Sequence, residues 1–293
     1  MRECRRLPAA RAVYAPGREN RAMTELLKAI KGRKSVRTFD GRPVSAEDRE
    51  HLEQFARTVS NPFGVPVRFV FLDAGEHSLS SPVLSGETLY VAGKVGRVPC
   101  AEAAFGYAFE QLVLYAWSLG IGTTWIGGTM KRDAFERAAE VQEGEMMPCV
   151  SPLGYPAKKR SFREVLMRKG VGADSRLPAD KIFFGGAWGA ALPPEKQASL
   201  ADLIEMVRWA PSAVNRQPWR VVCSENAFHF YEKRDREYAG EKTGDLQKID
   251  VGIALYHFAA GLEEQGKKPG IVVSDPGLAV PDGAEYIATV YPG

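Results

Sequence analysis

The chain has 293 residues, with 39 Lys plus Arg against 36 Asp plus Glu and 45% apolar residues. This is a soluble globular composition long enough for one large domain or two modest ones, which excludes a small stapled scaffold. No window approaches the ~20 unbroken apolar residues of a membrane span, and the first residues carry Arg with no apolar run behind them, so no membrane association and a cytoplasmic location are expected.

Residues 1–22 hold six Arg (2, 5, 6, 11, 18 and 21) and two Glu (3 and 19), a local charge of +4, so the formal +3 of the whole leaves the remainder at −1. A nucleic-acid binder needs a basic stripe on its folded body, and this body is neutral. The basic N-terminal arm, 1–22, reads either as a disordered start that adds nothing to function or as a docking arm for a polyanion. Cys4, Cys100, Cys149 and Cys223 stand far apart with no C-x-x-C pair. A disulfide framework and a zinc site are therefore both disfavoured, and no metal is expected.

An amphipathic helix is predicted from Met23-Thr24 through Leu26-Leu27-x-x-Ile30, followed by Arg33-Lys34-Ser35-Val36-Arg37 and Phe39-Asp40. Three cations and a hydroxyl in five residues can bind a phosphate by charge-assisted hydrogen bonds. They can equally be a solvated helix end whose cations favour the C-terminal dipole. Leu52 and Phe55 mark a helix by their i, i+3 spacing. Gly106 to Gly120 forms an apolar helical frame, and Gly252 to Gly266 forms a second of equal length. Short strands are predicted at 67–72, 88–92, 149–153, 220–223, 228–232, 271–274 and 286–290. Their irregular alternation with helices points to an α+β fold. Between a helix and a strand lies Ala210-Pro211-Ser212-Ala213-Val214-Asn215-Arg216-Gln217-Pro218-Trp219, where a hydroxyl and two amides could face a heteroaromatic ring or simply build a turn.

The order of elements repeats. At a shift of 152, Ser60, Pro66, Arg68 and Val70 coincide with Ser212, Pro218, Arg220 and Val222, and Leu52 and Phe55 fall on Ile204 and Val207. Gly154-Tyr155-Pro156 and Val290-Tyr291-Pro292 close the two halves alike. Two tandem lobes are therefore expected, 23–168 and a degenerate 180–293, joined by the Gly-, Asp- and Pro-rich linker 169–179. The helix at 106–120 is apolar on most faces and must be covered on all sides, which its counterpart at 252–266 would do. The chain would then be a monomer acting as an internal pseudo-dimer.

R-x-S-x-R-x-F-D at Arg33 to Asp40, P-S-x-x-N-x-Q-P-W at Pro211 to Trp219, and S-L-G-I-G-T-T-W-I-G-G at Ser118 to Gly128 resemble the signature blocks of the flavin-dependent nitroreductase family. Lys158-Lys159-Arg160 resembles that family's basic cluster. The P-S-x-x-N block, however, lies about 180 residues beyond R-x-S-x-R rather than some thirty. In this respect the chain resembles the tandem, single-chain branch of the family, with one composite pocket kept and its mirror image lost. At shift 152, Arg33, Ser35 and Arg37 fall on Gly185, Ala187 and Gly189.

The resemblance implies a nitroreductase-like fold and an FMN cofactor. Arg33, Lys34 and Ser35 would stand at the FMN phosphate, helped by Lys158 and Arg160, and Arg37 nearer the ribityl chain. Pro211, Ser212, Asn215 and Gln217 would approach the flavin from the second lobe, and the Ile126-Gly127-Gly128 turn would bring a backbone N–H to it. The implied activity is FMN-dependent transfer of electrons from NADH or NADPH to a nitro, quinone or similar small-molecule acceptor. A flavin-binding sensor or carrier without turnover is the alternative, and a flavin-modifying chemistry in the same fold a third. No catalytic side chain is demanded, because the flavin carries the chemistry. His51, His77, His229 and His257 share no spacing, and no metal or acid-base role is assigned to them.

Overall fold

In the computed structural model, residues 22–159, 161–170, 172–235 and 239–293 are described. The arm at 1–21 and Arg160 lie outside the described residues. The helices are α1 (Ala22–Gly32), α2 (Ala46–Thr58), α3 (Ala101–Ser118), α4 (Arg132–Ala138), α5 (Phe162–Gly170), α6 (Pro194–Ser199), α7 (Ala201–Arg208) and α8 (Leu246–Glu264). The strands are β1 (Val67–Asp73), β2 (Leu89–Gly96), β3 (Glu145–Met146), β4 (Val150–Leu153), β5 (Phe183–Gly185), β6 (Trp219–Cys223), β7 (Phe228–Lys233), β8 (Ala239–Gly240), β9 (Gly244–Asp245), β10 (Gly270–Val272) and β11 (Ala284–Tyr291).

The architecture is α+β, and all seven predicted strands are present. Of the four that periodicity missed, β3, β8 and β9 have two residues each, too few to show an alternation of two, and β5 has three. The first half builds an antiparallel sheet in which β2 pairs β1 along one edge and β3 and β4 along the other. The second half builds a five-stranded sheet, β10-β11-β7-β6-β5, antiparallel except for β5 beside β6. β1 opens at Val67 and β6 at Trp219, an offset of 152 residues, the same as that between the repeated Ser, Pro, Arg and Val positions.

α3 and α8 lie between these sheets. α3 packs on β1 and β2, α8 packs on β6, β7 and β11, and the two helices make their largest contact with each other. Neither helix has a polar face. α3 buries Phe105, Phe109, Leu112, Val113 and Leu114, and α8 buries Ile249, Ile253, Leu255, Phe258 and Leu262. One continuous core joins these side chains to Leu26 and Ile30 of α1, Leu52 of α2 and Leu203, Ile204 and Val207 of α7. Burial of this kind is worth roughly 1.5–3 kcal/mol per large apolar side chain. Among the described residues no helix is long and apolar enough to cross a membrane.

Capping sets two of the helix starts. Ser45 accepts the Asp48 N–H at the head of α2, and Asp245 accepts the Gln247 N–H at the head of α8. α5 runs on to Gly170, so the Gly- and Pro-rich joint begins as the last turn of a helix and continues into a short 3₁₀ turn at Ala179–Lys181.

Candidate functional site

Beyond Gly32 the chain leaves α1 and runs extended. Residues 33–40 are held along both sides: Val36 N–H donates to Thr123 O, Phe39 N–H to Ser85 O, Asp40 N–H to Tyr155 O, and Thr38 O accepts Ala157 N–H. Val36 and Phe39 are the buried anchors of this segment. Two glycines let it seat so closely. A Cβ at Gly122 would lie 2.8 Å from the Val36 side chain, and one at Gly154 would lie 2.9 Å from the Phe39 ring. Those contacts leave no room for any larger residue without displacing the segment. They account for two of the glycines in the motifs at 118–128 and 154–156.

The segment edges a cavity of about 350 Å³ lined by Lys34, Ser35, Val36, Thr38, Pro156, Ala157, Lys158 and Glu164. Lys34 and Lys158 are exposed, so their ammonium groups stay in water at its mouth. The start of α5 faces the same region. Ser161 N–H donates to Thr38 Oγ1 at 3.1 Å, and Ser161 Oγ accepts Glu164 N–H at 3.2 Å. Two ammonium groups, a hydroxyl and the positive end of a helix make an anion site. Lys34, Ser35 and Lys158 are thus brought together around one cavity. Arg37 adjoins them through its backbone N–H, which Glu164 accepts at 3.3 Å.

Arg33 turns the other way. Its guanidinium is buried, with Nε 3.8 Å from Glu110 Oε1, and it does not line the cavity. Glu110, on α3, is fully buried. Its carboxylate also meets Trp125 Nε1 at 3.1 Å and His257 Nε2 of α8 at 3.1 Å. His257 Nδ1 faces the Met206 carbonyl at 2.9 Å and donates to it. The result is a buried ionic cluster tying the end of α1 to the contact between α3 and α8. Sequence reading left Glu110 and His257 without a role, because a single Glu and a single His on two distant helices carry no spacing signal.

The second motif forms a strained turn. Val214, Asn215 and Gln217 have φ of 41°, 59° and 52°, left-handed positions on either side of a right-handed Arg216 that only tertiary support maintains. Ser212 Oγ accepts the Gln217 N–H at 2.9 Å, and both carboxylate oxygens of Asp250 accept the Ala213 N–H. Burial pushes the Asp250 carboxyl well above the usual carboxylate range, the Ala213 N–H opposing and the nearby Asp245 and Glu232 adding to the rise. The amides serve the chain itself. Asn215 Nδ2 donates to Gly172 O at 2.8 Å and to Ser175 O and Oγ, while Gln217 Oε1 accepts Leu177 N–H at 2.9 Å. Arg176 completes the clasp, its guanidinium 4.5 Å from the centre of the Trp209 ring. Pro211, Ser212, Asn215 and Gln217 thus lie at the joint between the halves, and none of them lines the cavity beside Ser35.

Ile126 is buried and bridges to Val150 of β4. A Cβ on Gly127 would sit at 3.6 Å from Leu246 and Pro148, an ordinary contact, and one on Gly128 would meet nothing within 4 Å. The protein itself therefore does not demand glycine at 128. Arg132, which carried no sequence signal, donates to the carbonyls of Gly127, Met147 and Pro148 and fixes this turn.

A family model described as "Putative TM nitroreductase" matches residues 25–262. A curated relative from Archaeoglobus fulgidus, described as "Putative NADH dehydrogenase/NAD(P)H nitroreductase", is 28% identical over 178 residues, covering 55% of this chain and 97% of that protein. The crystal structure of a "putative nitroreductase" from Thermotoga maritima MSB8 superposes with a TM-score of 0.60 at 19% identity, covering 97% of this chain and 99% of that one.

Proposed function

The chain belongs to the family described as "Putative TM nitroreductase", and from that premise we propose an oxidoreductase that binds FMN, takes electrons from NADH or NADPH and passes them to a nitro, quinone or similar small-molecule acceptor. The observation that carries this reading is the anion site at Lys34, Ser35 and Lys158, a donor set suited to a terminal phosphate. FMN, when bound, supplies the redox chemistry, and the protein supplies its place and its electrostatic surroundings. Lys34 and Lys158 would hold the phosphate as point charges and Ser35 as a hydroxyl donor. The 126–128 turn, clasped by Arg132, belongs to the same half, and nothing lies within 4 Å of a Cβ on the exposed Gly128 that would keep a ring from its backbone.

The chain's architecture as two tandem lobes, 23–168 and 180–293 joined by 169–179, belongs to the same reading, with a monomer doing the work of a dimer. It is supported by the reciprocal packing of α3 on α8 and by the 152-residue offset of β1 and β6. The protein would be cytoplasmic and would meet no nucleic acid.

The test is the absorption spectrum of the purified protein, followed by addition of NADH or NADPH. A flavin band that bleaches with either donor and returns with a nitro or quinone acceptor supports the oxidoreductase. A flavin band unmoved by both donors supports the sensor or carrier, and the absence of any flavin affinity overturns the reading.

A further inference from the structure

The anion site already contains an anion of the protein's own. Glu164 lies in the first turn of α5, is 2% exposed and lines the cavity. Its Oε2 accepts the Arg37 backbone N–H at 3.3 Å and the Thr38 hydroxyl at 2.9 Å. Ser161 and Glu164 have the S-x-x-E spacing of a capping box, in which the glutamate ordinarily turns back to the N–H of the cap residue. Here Thr38 Oγ1 takes that Ser161 N–H. The carboxylate reaches instead across to the motif segment, where it accepts the Arg37 N–H and the Thr38 hydroxyl.

We propose that Glu164 is the specificity-determining residue of this cavity, an internal carboxylate that occupies one corner of the anion site and sets how strongly a phosphate group is preferred there. A phosphomonoester reaches the Arg37 N–H and the Thr38 hydroxyl only as the carboxylate withdraws. A ligand without a phosphate, seated elsewhere on the same surface, is indifferent to it. The proposal rests on the reading that the cavity receives the phosphate of FMN. It concerns the discrimination between FMN and riboflavin rather than turnover.

The full chain is titrated with FMN and with riboflavin by flavin fluorescence, and with inorganic phosphate as a competitor against FMN, for the parent and for Glu164→Gln. The glutamine keeps the shape and the helix cap and removes the charge. FMN should bind about tenfold more tightly to the variant and phosphate should compete better, while riboflavin affinity stays within about twofold. Glu164→Asp, which keeps the charge but draws the carboxylate back by one methylene, is the second variant and should give a smaller gain of the same sign. A parent that prefers FMN to riboflavin, with no gain in either variant, overturns the proposal alone. A parent that binds FMN and riboflavin equally overturns the phosphate reading of the cavity and the proposal with it.

Discussion

Gly106 of α3 lies against the carbonyl of Ile249, and Gly252 of α8 lies against the carbonyl of Ala103. A Cβ would stand 2.0 Å from the first oxygen and 2.2 Å from the second. The offset from 106 to 252 is also the offset from 103 to 249, 146 residues, so each helix presents the same glycine to the same point on the other. The contact is reciprocal, as contacts across an isologous interface are. It brings the two backbones together more closely than any side chain would allow.

Replacing either glycine with alanine should therefore force the helices apart. Gly106→Ala and Gly252→Ala should each cost about 3 kcal/mol or more, the upper end of overpacking costs, because the obstacle is backbone rather than a movable side chain. Gly128→Ala, with nothing within 4 Å, should stay within about 0.5 kcal/mol. Urea denaturation of the three variants checks the contrast, and a Gly106→Ala as stable as the parent would contradict the close approach.

The two ends of the first motif should separate in their effects. Arg33→Ala removes a buried cation from Glu110 and should lower stability by about 3–5 kcal/mol. Lys158→Ala, at an exposed position on the cavity, should leave stability within about 0.5 kcal/mol and weaken FMN about tenfold relative to riboflavin. Denaturation and flavin titration on the same two variants read this directly. Equal destabilisation by both would argue against the inward placement of Arg33.

Glu232 on β7 is fully buried, and burial, reinforced by Asp245 and Glu285 and opposed by Lys248 and Arg234, pushes its carboxyl from the ordinary value of 4.5 to about 7. A folded-state value above the unfolded one means that the folded protein holds the proton more tightly between those two pH values. The contribution to stability is therefore greatest below about pH 4.5, falls as pH rises to about 7 and is level beyond. Asp250 is shifted in the same direction. Glu232→Gln should accordingly remove part of the slope and raise stability at pH 8 by about 2–3 kcal/mol. Urea midpoints measured from pH 4 to pH 8 should show the parent falling more steeply than the variant.

Asn215 fastens the 172–175 segment to the second-motif turn. Asn215→Gly keeps the left-handed backbone accessible and deletes the amide. It should speed proteolytic cleavage between 170 and 178 severalfold at a stability cost of about 1 kcal/mol. Cleavage rates equal to the parent's would mean that Arg176 on Trp209 and Leu177 on Gln217 hold the joint alone.

The sequence by itself determined the α+β class, seven of the strands and the two apolar helices, because period and burial are local properties of a strand or helix. That Lys34, Ser35 and Lys158 share one place was only what the family resemblance implied, and it takes the hydrogen bonds between the motif segment and the Tyr155 to Ala157 turn to bring them together. Only the tertiary structure decided which way each motif side chain turns. Arg33 goes inward because Glu110, 77 residues away, offers a buried carboxylate. Asn215 and Gln217 turn to the linker because unpaired carbonyl and N–H groups there need partners. Glu164 enters the anion site because Thr38 has taken over its place in the helix cap. Each of these choices is a competition between partners distant in sequence, and such a competition leaves no trace in composition or spacing.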